Sequence, residues 1–235
     1  MNQNKIILDL CGGTGSWSKP YKDAGYDVRL ITLPENDVRY YRPPEEVYGI
    51  LAAPPCTQFS FARTNAKKER DLVEGMSTVE ACLRVVWLMQ YKIVSNYAKY
   101  TRLKFWALEN PYFGLLKNFI GKPAFVFDPW EFGDGYQKRT AIWGSFKEPV
   151  KNPIPMTEEA KAKAKAKAKT NSYLHTMSHP SNRGKPITLW AERDRKKFDL
   201  LLNHEIHPEA SGLDDRARRS ITPKGFAKAF FEANQ

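Results

Sequence analysis

Apolar residues come along this chain in short runs that stop abruptly at glycine or proline. Ile6–Leu10 reads IILDL and runs into Cys11-Gly12-Gly13-Thr14-Gly15-Ser16. A nearly continuous apolar run of this length predicts a buried strand, and the glycines predict a tight turn leading out of it. A helix is expected over about Trp17–Asp23, ended by Gly25, and a second strand over Asp27–Thr32. Val47–Ala53 predicts the next strand, closed by Pro54-Pro55-Cys56. Thr57–Arg70 is polar and basic without a period, which predicts a loop. Val79, Leu83, Val86 and Trp87 then recur at the three-and-four spacing of a buried face, within a helix expected over about Leu72–Tyr100. Leu103–Leu108 predicts a further strand, closed by Glu109-Asn110-Pro111, and short apolar runs follow at Ala124–Phe127 and Thr140–Trp143. Strands alternating with helices, opened by a strand and a glycine-rich turn, predict a nucleotide-type α/β domain over residues 1–144.

From Ser145 the pattern breaks. Pro149, Pro153 and Pro155 predict an extended link, and Glu158–Lys169 alternates alanine with lysine. Both residue types favour helix, so a helix is expected from near Thr157. The two-residue repeat spreads its lysines around the axis, and Lys161 repels Lys165 one turn on, so that helix should be frayed and solvated. Asn171–Pro186 is polar and irregular, and Leu189–Leu202 predicts a helix with a largely basic surface. Residues 145–219 therefore read as a small, irregular basic region. Thr222 and Pro223 predict the cap and first position of a terminal helix with Phe226 and Phe230 on one face, so that residues 220–235 pack back on the first unit.

Charge and cysteine usage narrow the classes. The 235 residues carry a net charge of +11, with 37 basic and 26 acidic side chains, which suits a polyanionic partner. Lys161–Lys169 supplies five of those charges, as a spacer or as a phosphate contact, and the remainder of the chain is still basic. No apolar run approaches the roughly 20 residues of a membrane helix. The chain enters its first strand at once, leaving no room for a signal peptide, so a cytoplasmic monomer with no membrane contact is expected. Cys11, Cys56 and Cys82 are scattered and form no zinc or disulfide pattern. His175 and His179 have helical ligand spacing, but the polar surroundings and Pro180 favour solvated histidines, and no metal is expected.

The same grammar occurs twice, a buried strand followed by a chemically capable side chain beside a proline stop. The prolines before Cys56 remove backbone donors and direct the thiol out of the strand, where it stands as a nucleophile or as a small buried residue after a turn. Glu109 puts a carboxylate at a strand end, where ligands bind in open α/β sheets. In chain order these follow the glycine turn and precede Gln137-Lys138-Arg139.

That order resembles the cytosine-C5 DNA methyltransferases. Asp9-Leu10-Cys11-Gly12-Gly13-Thr14-Gly15 resembles their donor-binding turn, and Pro54-Pro55-Cys56-Thr57-Gln58-Phe59-Ser60 their nucleophile segment. Glu109-Asn110-Pro111 resembles their acidic tripeptide, and Phe132-Gly133 through Gln137-Lys138-Arg139 their later Gln-x-Arg segment. The terminal Ile221-Thr222-Pro223-Lys224-Gly225-Phe226 is similar to the compact, phage-type branch, with its links to restriction–modification. The resemblance implies a Rossmann-like class I methyltransferase fold, a mostly parallel sheet flanked by helices. It implies an S-adenosylmethionine-binding catalytic domain over 1–144 and target recognition within 145–219.

The resemblance also implies site residues. Cys56 would be the nucleophile, Glu109 the acid at the base and Arg139 a neutralising cation. Asp9, Cys11, Gly13, Thr14, Gly15, Leu33, Asp37, Val38 and Pro54 would line the methyl donor, S-adenosylmethionine. Gln58, Ser60, Arg63, Lys67, Lys68, Arg70, Gln137 and Lys138 would face double-stranded DNA, with Thr57–Arg70 as a lid over a flipped-out base. Where the family carries a second arginine, this chain has Ala141. The other readings are a donor-pocket DNA binder without turnover, and the same thiol chemistry on RNA or with a modified donor.

Overall fold

The computed structural model describes residues 2–62, 67–91, 93–94, 97–98, 103–134, 138–153 and 220–235. The elements are β1 (Ile6–Leu10), α1 (Lys19–Asp23), β2 (Asp27–Ile31), β3 (Gly49–Ala52), α2 (Leu72–Gln90), β4 (Ile93–Val94) and β5 (Tyr97–Ala98). Then come β6 (Phe105–Pro111), α3 (Lys117–Ile120), β7 (Phe125–Phe127), a 3-10 helix (Pro129–Phe132), β8 (Thr140–Ser145) and α4 (Lys224–Ala233). Six strands form one sheet in the order β2-β1-β3-β6-β8-β7. The β1, β2, β3 and β6 pairings are parallel; β8 runs antiparallel to both β6 and β7. This is a Rossmann-like α/β fold.

The near-continuous apolar runs are explained by burial on both sheet faces. Leu8, Leu10, Ile50, Ala52 and Leu108 pack in one core with Val79, Cys82, Val85, Val86 and Met89 of α2. Ile7, Leu51, Phe105, Ala107 and Ile142 pack in the other with Trp17 and Tyr21 at α1 and Phe226 and Phe230 of α4. Successive strand side chains alternate between the faces, as the period of two requires. In α4, Phe226 stacks on Phe127 at 3.9 Å between centroids, and the Thr222 N–H donates to Ser16 Oγ at 2.9 Å.

Several boundaries differ from the sequence expectation. Helix α2 starts where Asp71 caps it, accepting the Glu74 N–H at 2.8 Å, but it ends at Gln90 rather than Tyr100. The β-branched Ile93 and Val94 enter a short antiparallel pair with Tyr97 and Ala98 instead; local strand pairing, which β-branched residues favour, replaces the weak helical pattern. The buried face of α2 runs through Val79, Cys82, Val86 and Met89, whereas Trp87 is 48% exposed and stacks on Tyr91 at 5.3 Å. Strand β6 continues through Glu109 to Pro111, because antiparallel β8 supplies partners for those residues. Pro223 stands at the N-cap of α4, not at its first turn. Most of 145–219, including the alanine–lysine tract, His175, His179 and the expected helix over Leu189–Leu202, lies outside the described residues. No helix among the described residues is long and apolar enough to cross a membrane.

Candidate active site

Parallel register is what gathers the motifs. Leu10 pairs with Ile31 and Ala52, and Ala52 pairs with Leu108, so β1, β2, β3 and β6 present their C-terminal ends side by side. The glycine turn and Pro54-Pro55-Cys56 leave that one edge, and Glu109-Asn110-Pro111 extend β6 beyond its pairing with β3. Asn110, 1% exposed, donates its Nδ2 to the Pro54 carbonyl at 3.0 Å and ties two of the loops together.

The turn after β1 is built from below. Asp9 is fully buried, and its Oδ2 accepts the Ser18 hydroxyl at 2.5 Å. Its Oδ1 is buried with no hydrogen-bond partner. Burial pushes its pKa up to about 6, against the lowering effect of the Ser18 bonds. Gly12 lies directly over that carboxyl, so a Cβ there would overlap it. Cys11, Gly13 and Gly15 all have left-handed φ, at 58°, 55° and 70°. A Cβ on Gly13 would meet open space, so this backbone faces outward bare of side chains. Thr14 is half-buried in the same turn.

Beyond β2, Leu33 is 64% exposed and Val38 is 3% exposed. The Asp37 carboxylate is spent on Arg39, whose Nη2 lies 2.6 Å from Oδ2, and that bond lowers its pKa. Arg84 of α2 donates to the Arg39 carbonyl at 2.7 Å and so holds this loop beside the sheet.

Cys56 is half-buried and in no disulfide. Its carbonyl accepts the N–H groups of Phe59 at 2.9 Å and Ser60 at 2.8 Å, so a single turn starts at the thiol. Phe59 is fully buried, and its carbonyl accepts the Leu115 N–H at 3.0 Å. Phe61 donates to Phe113 at 3.0 Å, and Ser60 bridges Gly114. Arg70 donates to the carbonyls of Gln58 at 2.8 Å and Ser60 at 2.9 Å. Gln58 Oε1 accepts the Asp71 N–H at 3.1 Å. The expected loop after Cys56 is thus pinned through residues 57–62, and Arg70 braces it from inside. Lys67 and Lys68 are exposed on the same connection; Arg63 lies outside the described residues.

At the other side, burial pushes the Glu109 pKa up, and the positive charge of Lys138 opposes that rise. Antiparallel register explains the pairing of charges. Glu109 faces Ile142 and Pro111 faces Thr140, so Lys138 continues the row that Glu109 shares. Arg139 continues the other row. Its Nη1 donates to Asp128 Oδ2 at 3.1 Å, and its guanidinium lies 5.7 Å from the Tyr112 ring centroid. Asp128 is 1% exposed and caps the 3-10 helix in a reciprocal box with Glu131. Ala141 is fully buried opposite Asn110. Gln137 lies outside the described residues.

Asn110, Ser18, Asp128 and Arg84 were not singled out as site residues from sequence. Asp128-Pro129-Trp130-Glu131 does carry a capping-box signature, but nothing local marks Asp128 as the partner of Arg139. Two cavities of about 660 and 390 Å³ run along α2 and beside Trp106 and Trp143; neither is lined by Asp9, Cys56 or Glu109. No cluster of metal-ligating side chains occurs among the described residues.

No family model matches this chain, and no curated protein matches it. Among solved structures it is similar to the Entamoeba histolytica methyltransferase EhMeth, at 10% identity over 97% of this chain and 96% of that one, with a TM-score of 0.41. A likeness of that degree carries no functional argument.

Proposed function

We propose that this protein transfers a methyl group from S-adenosylmethionine to C5 of cytosine in DNA, with Cys56 as the nucleophile. The observation that carries the reading is the shared edge: the bare glycine turn and the thiol leave β1 and β3, and the carboxyl lies at the end of adjacent parallel β6, with Asn110 bonded to Pro54 between them. Open α/β sheets bind ligands at that edge.

The residues fit an adenosyl-sulfonium donor. The space over Gly13 is open, an unpartnered buried Asp9 oxygen lies under the turn, and exposed Leu33 offers an apolar surface after the next strand. Cys11, Gly13, Thr14 and Gly15 would hold its amino-acid end, Leu33, Asp37 and Val38 its adenosine, and Pro54 its reactive side. When bound, the donor supplies an electrophilic methyl group on sulfur.

The chain's own groups account for the rest. Cys56 Sγ, as thiolate, adds to C6 of the ring and makes C5 nucleophilic, which splits a hard step into two. Glu109, its pKa raised by burial, would share a proton with the ring N3 as charge develops there. Once C5 is methylated, the C5 proton departs and Sγ leaves C6. Lys138 supplies positive charge on the Glu109 row, while Arg139 is oriented by Asp128 and Tyr112. Gln58, Ser60, Lys67 and Lys68 would meet the DNA, and Arg70 would hold the segment that presents them. A base inside a duplex is out of reach, so it would be rotated into the site.

The test is mass spectrometry of nucleosides from duplex DNA incubated with the protein and S-adenosylmethionine. We expect 5-methylcytosine from the natural chain and none from Cys56→Ala, while calorimetry shows that both bind S-adenosylhomocysteine alike. Buried Ala141 favours one rival, a DNA binder without turnover, because it leaves one cation fewer at the site. Duplex binding without 5-methylcytosine would establish that rival.

A further inference from the structure

Two cysteines whose thiols take no part in the proposed transfer face each other, although the backbone of Cys11 lies in the turn assigned to the donor. Cys11 Sγ and Cys82 Sγ are 4.0 Å apart, one in the glycine turn and one on α2. They differ in access: Cys11 is half-buried, whereas Cys82 is fully buried. Cys11 holds a left-handed φ of 58°, a conformation that a residue with a Cβ adopts at a cost. The contact with Cys11 and burial both push the Cys82 thiol up, so it stays protonated beside its neighbour.

We propose that Cys11 and Cys82 form an oxidisable dithiol, closed by peroxide-class oxidants into a reversible disulfide that ties the glycine turn to α2. The difference in access sets the order of events. Peroxide oxidises the Cys11 thiol to a sulfenic acid and is itself reduced to water. Cys82 Sγ then attacks Cys11 Sγ, the S–O bond breaks, and a second water leaves with the Cys82 proton. Cys56 sits on a different strand end, and its thiol is not part of the pair.

Closure has a mechanical consequence. A disulfide needs its sulfurs about 2 Å apart, so the pair must approach by about half its present separation. Helix α2 is anchored by the buried Val79, Val85 and Val86, while the Gly13 side of the turn faces open space. The turn is therefore the part that moves. On the donor-binding reading above, the disulfide weakens donor affinity by about tenfold, a usual size for coupled sites.

The experiment treats the full chain with hydrogen peroxide and follows intact mass and disulfide-linked peptides. We expect loss of two hydrogen atoms, a linked peptide pair containing Cys11 and Cys82, and full reversal by dithiothreitol. Cys82→Ala protein should gain oxygen on Cys11 instead of losing hydrogen. Oxygen accumulating on Cys11 of the natural chain, or linkage through Cys56, would overturn the proposal. S-adenosylhomocysteine affinity of oxidised and re-reduced protein is measured beside it. Reduced protein that does not bind that ligand refutes the donor reading alone, because the linkage is scored by mass. Linkage with unchanged affinity overturns the mechanical consequence.

Discussion

Asp9 shows how burial sets the protonation of a side chain beneath the turn after β1. It lies in a buried strand, bonded to Ser18 and roofed by Gly12, and burial raises its pKa from 3.8 to about 6. The folded state therefore binds a proton more tightly than the unfolded one. Stability from this group is greatest below about pH 4, falls as pH rises to about 6 and is flat above. A shift of about 2 units corresponds to a loss of about 3 kcal/mol across that window. Asp9→Asn should remove this fall, seen as a flatter plot of melting temperature against pH between about 4 and 6. An unchanged plot would mean that Asp9 is solvated in the native protein. The same residue scale separates Lys138 from Arg139. They are neighbours in sequence but lie on opposite rows, so only Lys138 acts on Glu109 while Arg139 is matched by Asp128.

At the scale of elements, the candidate site is a set of strand exits held by a few polar ties. Asn110 to Pro54 joins β6 to the exit of β3, and Arg70 joins the start of α2 to the turn after Cys56. Asn110→Ala removes a buried donor and leaves a carbonyl without its partner, which costs about 1–3 kcal/mol. We expect that loss in denaturant unfolding, together with a fall in methyl transfer greater than the fall in S-adenosylhomocysteine affinity. Equal falls in both would mean that the tie supports the donor turn rather than the thiol. Helix α2 shows where local pattern stops deciding. Its apolar spacing is clear from Val79 onward, but which side docks was set by the sheet, leaving Trp87 outside.

On the scale of the whole molecule, two apolar layers enclose the sheet of the described residues, with Asp9 and Asp128 as buried carboxyls. A net charge of +11 should give duplex affinity that falls steeply with salt, since each phosphate contact releases counterions. Deleting residues Ala160–Lys169 removes five lysines, and if all five touch phosphate the slope of log K against log salt should shrink by about 4.5. A filter-binding series over salt measures this, and an unchanged slope makes the tract a spacer. The terminal helix acts at this scale too: Phe226 and Phe230 fill the layer beneath Trp17, some 200 residues away in sequence.

The α/β class was legible in the sequence, because buried parallel strands must be nearly continuous apolar runs and their exits need glycine or proline. For the same reason the turn at Gly12 and the exit at Pro54–Pro55 could be placed from local chemistry, whereas the helix cap at Asp71 emerged only in the structure. Tertiary structure decided what depends on partners distant in the chain. Pairing with β8 carried β6 through Glu109, register divided Lys138 from Arg139, and docking of α2 brought Cys82 to Cys11. Each is a contact between segments whose local patterns say nothing of one another, and the energy that selects it exists only once the sheet has formed.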